Sequence, residues 1–152
     1  TATGAVGFPN LTDNAWLWGA TGADIEATIK HGRTAYMPAM SVSFKPQEIH
    51  DITSYLLSTN DQKQDAQEVA RGRSSFAQVC FACHGSQAQG QATIGAPDLV
   101  NNNWLYGQSR AVIEQSISNG RQGVMPAFND RLGEDKVHIL AAYVYGLSQK
   151  DE

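Results

Sequence analysis

The chain has 152 residues, 41% of them apolar and 17% charged, with three Trp, five Tyr and five Phe; that length suits one ordinary domain or two very small ones, and that composition excludes a disordered tail. The net charge of −4 divides as −2 over residues 1–60, −1 over 61–71 and −1 over 72–152, and the Lys and Arg residues are scattered singly, which excludes a nucleic-acid footprint. The longest mostly apolar run, Val137 to Leu147, contains His138 and falls short of the roughly 18 residues a spanning helix needs, and no basic stretch followed by an apolar one marks a leader peptide.

In chain order, the predicted helices are Thr21 to Lys30, Pro46 to Ser58, Asp65 to Cys80, Ser109 to Ser118 and Glu134 to Leu147. The first two are predicted as counterparts of the last two. In the third, Val69, Gly72, Phe76 and Val79 or Cys80 fall near the i, i+3/i+4 spacing of one helix face. Ser109 is placed as the cap of the fourth, with Ala111, Ile113 and Ile117 on its inner side. Val137, Leu140, Ala141, Tyr143 and Val144 of the fifth are available to pack on the third. The polar, turn-forming run Ser58 to Gln64 is the linker. No alternating β-branched runs stand out, so the expected fold is all-α, with a first lobe over 1–60, a connecting stretch over 61–71 and a second lobe over 72–152.

The two cysteines stand in Cys80-Phe81-Ala82-Cys83-His84. This is the attachment motif of a c-type haem: two thiols on one helical turn can add to the two vinyl groups along one porphyrin edge, and the adjacent imidazole then meets the iron. A zinc site needs four ligands, and His31, His50 and His138 supply no second pair at ligand spacing. A thioredoxin-like pair needs a βαβ context that is missing. A disulfide between cysteines three apart would constrain little and leave His84 unexplained. For the sixth iron position Met125 is the candidate, in Gly120-Arg121-Gln122-Gly123-Val124-Met125-Pro126, where the glycines and the proline forbid a continuous helix and are expected to hold the thioether on a loop. Its alternative role is gap-filling in the core. A His/Met pair suits electron transfer at relatively high potential and leaves no open position for catalysis.

The chain also matches itself at a constant offset of 88. Gly7, Pro9 and Leu11 fall on Gly95, Pro97 and Leu99; Trp16-Leu17 on Trp104-Leu105; Gly32-Arg33 on Gly120-Arg121; Met37-Pro38-Ala39 on Met125-Pro126-Ala127; His50 and Tyr55 on His138 and Tyr143. Eighteen positions are identical between 7–60 and 95–148 without a gap. These are two copies of one unit, and only the second carries the attachment motif.

The combination of Gly-Phe-Pro-Asn-Leu-Thr-Asp-Asn-Ala-Trp-Leu-Trp-Gly, His-Gly-Arg with Met-Pro-Ala, Cys-x-x-Cys-His, Gly-Ala-Pro-Asp-Leu and Trp-Leu-Tyr-Gly closely resembles the dihaem subunit P (FixP/CcoP-like) of cbb(3)-type cytochrome c oxidases over nearly the whole chain. The resemblance implies two class I cytochrome c lobes in tandem on the periplasmic side of a bacterial inner membrane, the first truncated at its N-terminus, and an anchor in a segment beyond this sequence. It implies covalent haem c at Cys80 and Cys83, His84 as proximal ligand and Met125 as distal ligand. Pro97 matches the position whose carbonyl accepts the histidine Nδ1–H bond. Trp104 and Arg121 are candidates for the haem propionates, with core packing and a solvated face as their other roles. Family members carry the attachment motif in both lobes, and here the first is absent. Pro9, Arg33 and Met37 nevertheless stay in register with Pro97, Arg121 and Met125, so the expectation is a longer polypeptide whose first motif lies about nine residues before Thr1, with Met37 the distal ligand of that second haem and Ile52 and Tyr55 left without their packing partner.

The implied function is relay of electrons from a soluble cytochrome c donor, through a monohaem cytochrome subunit, to a haem–copper catalytic subunit. The chain would be an electron-transfer subunit with no catalysis of its own. The competing reading is a free soluble dihaem carrier or the cytochrome module of a periplasmic dehydrogenase; the Trp-Leu-Trp-Gly element favours the oxidase.

Overall fold

A computed structural model describes residues 2–149. Helix α1 (Gly22–His31) starts at a reciprocal cap, the Thr21 hydroxyl accepting from the Asp24 N–H and the Asp24 carboxylate accepting from the Thr21 N–H, both at 3.2 Å. Strand β1 (Arg33–Met37) comes next, then α2 (Pro46–Ser58), with Pro46 in the first turn where its missing N–H costs nothing. Asp65 caps α3 (Ala66–Val79) by accepting from the Gln67 and Glu68 N–H groups. The short α4 (Phe81–His84) continues it. Then come α5 (Arg110–Asn119), β2 (Arg121–Met125), the one-turn α6 (Asn129–Leu132) and α7 (Glu134–Leu147). Ser109 precedes α5 but makes no side-chain cap bond, so its predicted capping role is not realised. Among the described residues no helix is long and apolar enough to cross a membrane.

The fold is helix-rich but not all-α. Strands β1 and β2 pair antiparallel with Ala35 opposite Gly123, Arg33 opposite Met125 and Met37 opposite Arg121. Met125 therefore ends a strand rather than riding on a loop. The central pair is a residue and its own repeat equivalent, 88 apart, so the two copies are related by a local two-fold axis between the strands.

At that axis the two copies exchange their last helices. One core gathers Phe44, Ile49, Ile52, Tyr55, Leu56 and Leu57 from the first copy with Phe76, Ala88, Ile113 and Ile117 from the α3-to-α5 segment. The other gathers Ile25 and Ile29 of α1 with Val137, Ala141 and Val144 of α7. Two reciprocal histidine–glutamate contacts record the exchange. His50 of α2 meets Glu114 of α5 at 2.9 Å, and their equivalents His138 of α7 and Glu26 of α1 meet at 2.8 Å. The glycines that end α1 and α5 do the same. Gly32 (φ 69°) and Gly120 (φ 71°) lie so near the opposite copy that a Cβ on Gly32 would overlap the Met125 carbonyl, and one on Gly120 the Met37 carbonyl.

The helix crossing that the sequence assigned to α3 and α7 is thus made by α3 and α2. Gly72 is where the two backbones touch, a Cβ there overlapping the Asp51 carbonyl. Phe76 (2% exposed) packs on Tyr55 with ring centroids 5.4 Å apart. Arg71 adds a bidentate contact to Asp51, Nε–Oδ2 2.6 Å and Nη2–Oδ1 3.0 Å. Ile52 and Tyr55, expected to lack a partner, are buried at this crossing, whereas Tyr143 is 64% exposed.

Candidate haem-attachment site

Helix α3 delivers the motif. Cys80 caps its C-terminus, directly after Val79, and is half-buried; Cys83 lies on α4 and is exposed; both are free thiols. Burial pushes the Cys80 thiol up to about 11, so it stays protonated and neutral at physiological pH. His84, 9% exposed, points Nδ1 at the Pro97 carbonyl oxygen, 3.1 Å away. A carbonyl only accepts, so Nδ1 carries the proton and Nε2 keeps its lone pair. Burial draws the imidazole below its ordinary pKa, the Pro97 bond pulling the other way. The loop that brings Pro97 there is tied down by the Gly90 N–H donating to the His84 carbonyl and the Leu99 N–H to that of Ala88, both 2.8 Å.

This donor set fits a covalent haem c. Two unpaired thiols sit within one helical turn, a fixed neutral imidazole has one free nitrogen, and Cys80, Leu99 and Trp104 each pack against the same core. Val79 and Phe81, on either side of Cys80, are 42% and 46% exposed, apolar surface that a macrocycle can cover.

The remaining residues singled out in the sequence fall into two groups. Met37 packs against the core that holds Cys80, Leu99 and Trp104. Met125 is 36% exposed and sits opposite Arg33 instead. Arg121 donates through Nε and Nη2 to the Ser116 hydroxyl and lies 4.3 Å over the Tyr106 ring. Arg33 repeats this with Thr28 and, at 4.8 Å, Trp18. Trp104 donates its indole N–H to the Asn101 carbonyl at 2.9 Å, which commits that donor within the chain. Pro9 is exposed and has no histidine partner among the described residues. Ser116 and its counterpart Thr28 carry no motif that marks them as site residues, although the repeat offset pairs them; Tyr106 and Trp18 lie in the Trp-Leu-Tyr-Gly and Trp-Leu-Trp-Gly elements, which carry no signal of an arginine contact.

The model of the family "Cytochrome C oxidase, cbb3-type, subunit III" matches residues 67–144, just over half of the chain. The chain is 40% identical to a cbb3-type cytochrome c oxidase subunit CcoP of Azospirillum sp. (strain B510), over 95% of this chain and 55% of that protein. It is 39% identical to the CcoP subunit of Rubrivivax gelatinosus, over 97% and 49%, and 38% identical to the FixP subunit of Bradyrhizobium sp. (strain ORS 278), over 96% and 54%. The chain spans about half the length of the curated relatives it matches.

Proposed function

Since the chain belongs to the cbb3-type cytochrome c oxidase subunit III family, we propose that it is an electron-transfer module whose covalent haem c is carried by Cys80 and Cys83 with His84 as proximal ligand. The observation that carries this reading is the His84–Pro97 bond. It fixes the imidazole plane, selects the tautomer with Nε2 free and raises the basicity of the ligand. The haem, once attached, supplies one reversible electron. The chain's residues hold the proximal ligand rigid and keep it neutral by burial, so little reorganises when that electron comes or goes. Arg121, fixed by Ser116 and Tyr106, keeps N–H donors for a propionate; Trp104 serves as packing.

The two cores are the two class I cytochrome c lobes, each completed by the other copy's last helix. A second haem belongs to the core of α1 and α7, its motif supplied by a segment preceding the present sequence, along with a membrane anchor. The partners are the membrane oxidase subunits, a monohaem cytochrome and the haem–copper catalytic subunit, with the assembly on the periplasmic side. A soluble cytochrome c donor would present a basic surface to the net charge of −4, so its reduction rate should fall as salt rises; salt-independent kinetics would count against that donor.

Intact mass with a pyridine haemochrome spectrum tests the central claim. One covalent haem per chain, lost when Cys80 and Cys83 are both changed to Ser, is the expected result; haem that washes out of the wild-type chain refutes it.

A further inference from the structure

We infer that the thioether facing the haem on Cys80, Cys83 and His84 is that of Met37, from the other repeat, and not that of Met125. The inference rests on the reading of Cys80-x-x-Cys83-His84 as the attachment site. Its grounds are topological. The chain passes from one core to the other within β1 and back within β2, crossing at Ala35 and Gly123. The apolar residues between those crossings that are buried or packed on a core, from Met37 through α2, α3 and α5, all belong to the core against which Cys80 packs. Met125 lies beyond the second crossing, and the residues after it join α1: the Phe128 N–H donates to the Ile29 carbonyl at 3.0 Å.

The contacts of the two methionines agree with this. Met37, like Cys80, Leu99 and Trp104, packs against the core that includes Phe76 and Ile117, with its backbone against Gly120 and its strand partner Arg121. Met125 has its backbone against Gly32 and its strand partner Arg33, and belongs to neither core. In each copy the methionine stands just before the helix that closes a core. Because α2 is the helix packed on α3, the methionine leading into α2 is the one delivered to the α3 pocket. The haem bound to the second copy's cysteines therefore has its two axial ligands drawn from different copies, which ties its potential to the integrity of the β1–β2 pairing. Met125 is left for the core of α1 and α7.

The test uses the haem-loaded chain, with covalent haem verified by intact mass, and reads the far-red thioether-to-iron absorption band of the oxidised form and carbon monoxide binding by the reduced form. Met37→Ala should lose the band completely and gain carbon monoxide binding. Met125→Ala should keep the band and stay closed to the gas. Because Met37→Ala could fold poorly, Met37→His is the second variant: it should give a six-coordinate spectrum without the far-red band and refuse carbon monoxide, while Met125→His leaves the wild-type spectrum. Retention of the band in Met37→Ala overturns the assignment, as does its loss in Met125→Ala with haem content and circular dichroism unchanged. A wild-type chain without covalent haem overturns the attachment reading as well, and the mass measurement separates that case from the others.

Discussion

Helices α2 and α7 occupy equivalent positions in the two copies, yet one crossing face is sealed and the other is open. On α2, Ile52 and Tyr55 are 1% and 9% exposed beneath Gly72 and Phe76; their counterparts on α7, Leu140 and Tyr143, are 37% and 64% exposed. The tyrosine is the same residue at the same register. What differs is the partner: α3 with its Gly72 notch lies on α2, and no equivalent helix lies on α7 among the described residues. Burial is thus a property of the pair, and an apolar face that repeats in sequence repeats in energy only where its partner does too.

The largest effect should come from the sealed face. Phe76→Ala removes a ring packed on Tyr55 and should cost about 3–5 kcal/mol, whereas Tyr143→Ala on the open face should shift stability by no more than about 0.5 kcal/mol. Urea unfolding of the two variants measures the contrast. Equal losses would mean that α7 is engaged in the way α2 is.

Next come the two glycines at the local two-fold axis. Gly32→Ala and Gly120→Ala each force a Cβ into the opposite methionine's carbonyl at a φ near +70°, and each should cost on the order of 1–3 kcal/mol. Because the contacts are reciprocal, the losses should match. A loss confined to one glycine would show that the strands pair without the symmetry seen here.

A third contrast comes from Asp51, whose counterpart on α7 is Ile139. The Arg71 guanidinium holds the Asp51 carboxyl below the ordinary carboxylate value, with burial opposing and Gln47 assisting. A depressed folded value means that the contact stabilises fully above the unfolded value of about 3.9 and that this contribution is lost as pH falls from there through the lower, folded value. The stability gap between the wild-type chain and Asp51→Asn should therefore hold steady above about pH 5 and narrow progressively as pH falls below it. A gap that stays constant with pH would place the stabilisation elsewhere.

Much of this arrangement was legible in the residues, and the rest was hidden for a physical reason. Proline at the start of α2, aspartate before α3 and apolar spacing located the helices to within a residue or two. The attachment motif and Pro97 stand together in space as the resemblance implied. The strands escaped notice because five residues containing a glycine, such as Arg121 to Met125, carry no alternating pattern. The exchange of helices escaped because a repeat is symmetric by construction: α2 and α7 offer the same tyrosine, and sequence identity cannot say which one reaches Phe76. The discriminating signal was the linker. Only Thr59 to Asp65 separates α2 from α3, and helices joined so closely usually pack as neighbours. The repeat itself also reaches further in space than in sequence. Ala2 and Ala88 share a positive φ and the same bond, to the N–H of Leu11 and of Leu99, at an offset of 86 rather than 88, because the first copy's hairpin is two residues shorter.

The smallest effect addresses the exchange most directly, because it asks which copy each side chain speaks to. His138 meets Glu26 across the copies at 2.8 Å with the histidine 72% and the glutamate 37% exposed, so the pair is worth only about 0.2–1 kcal/mol. Its value lies in the pattern of coupling. A double-mutant cycle with His138→Gln and Glu26→Gln should return a coupling of that size, and so should the reciprocal cycle with His50→Gln and Glu114→Gln, where both partners are about one-third exposed. Lobes built without exchange would bring His50 to Glu26 and His138 to Glu114 instead. Cycles on those two same-copy pairs should therefore return zero within error, since the exchanged packing gives each histidine a different glutamate. Coupling in the same-copy cycles with none across copies would show that each unit closes on its own last helix, and would move Met125 back to the pocket of Cys80.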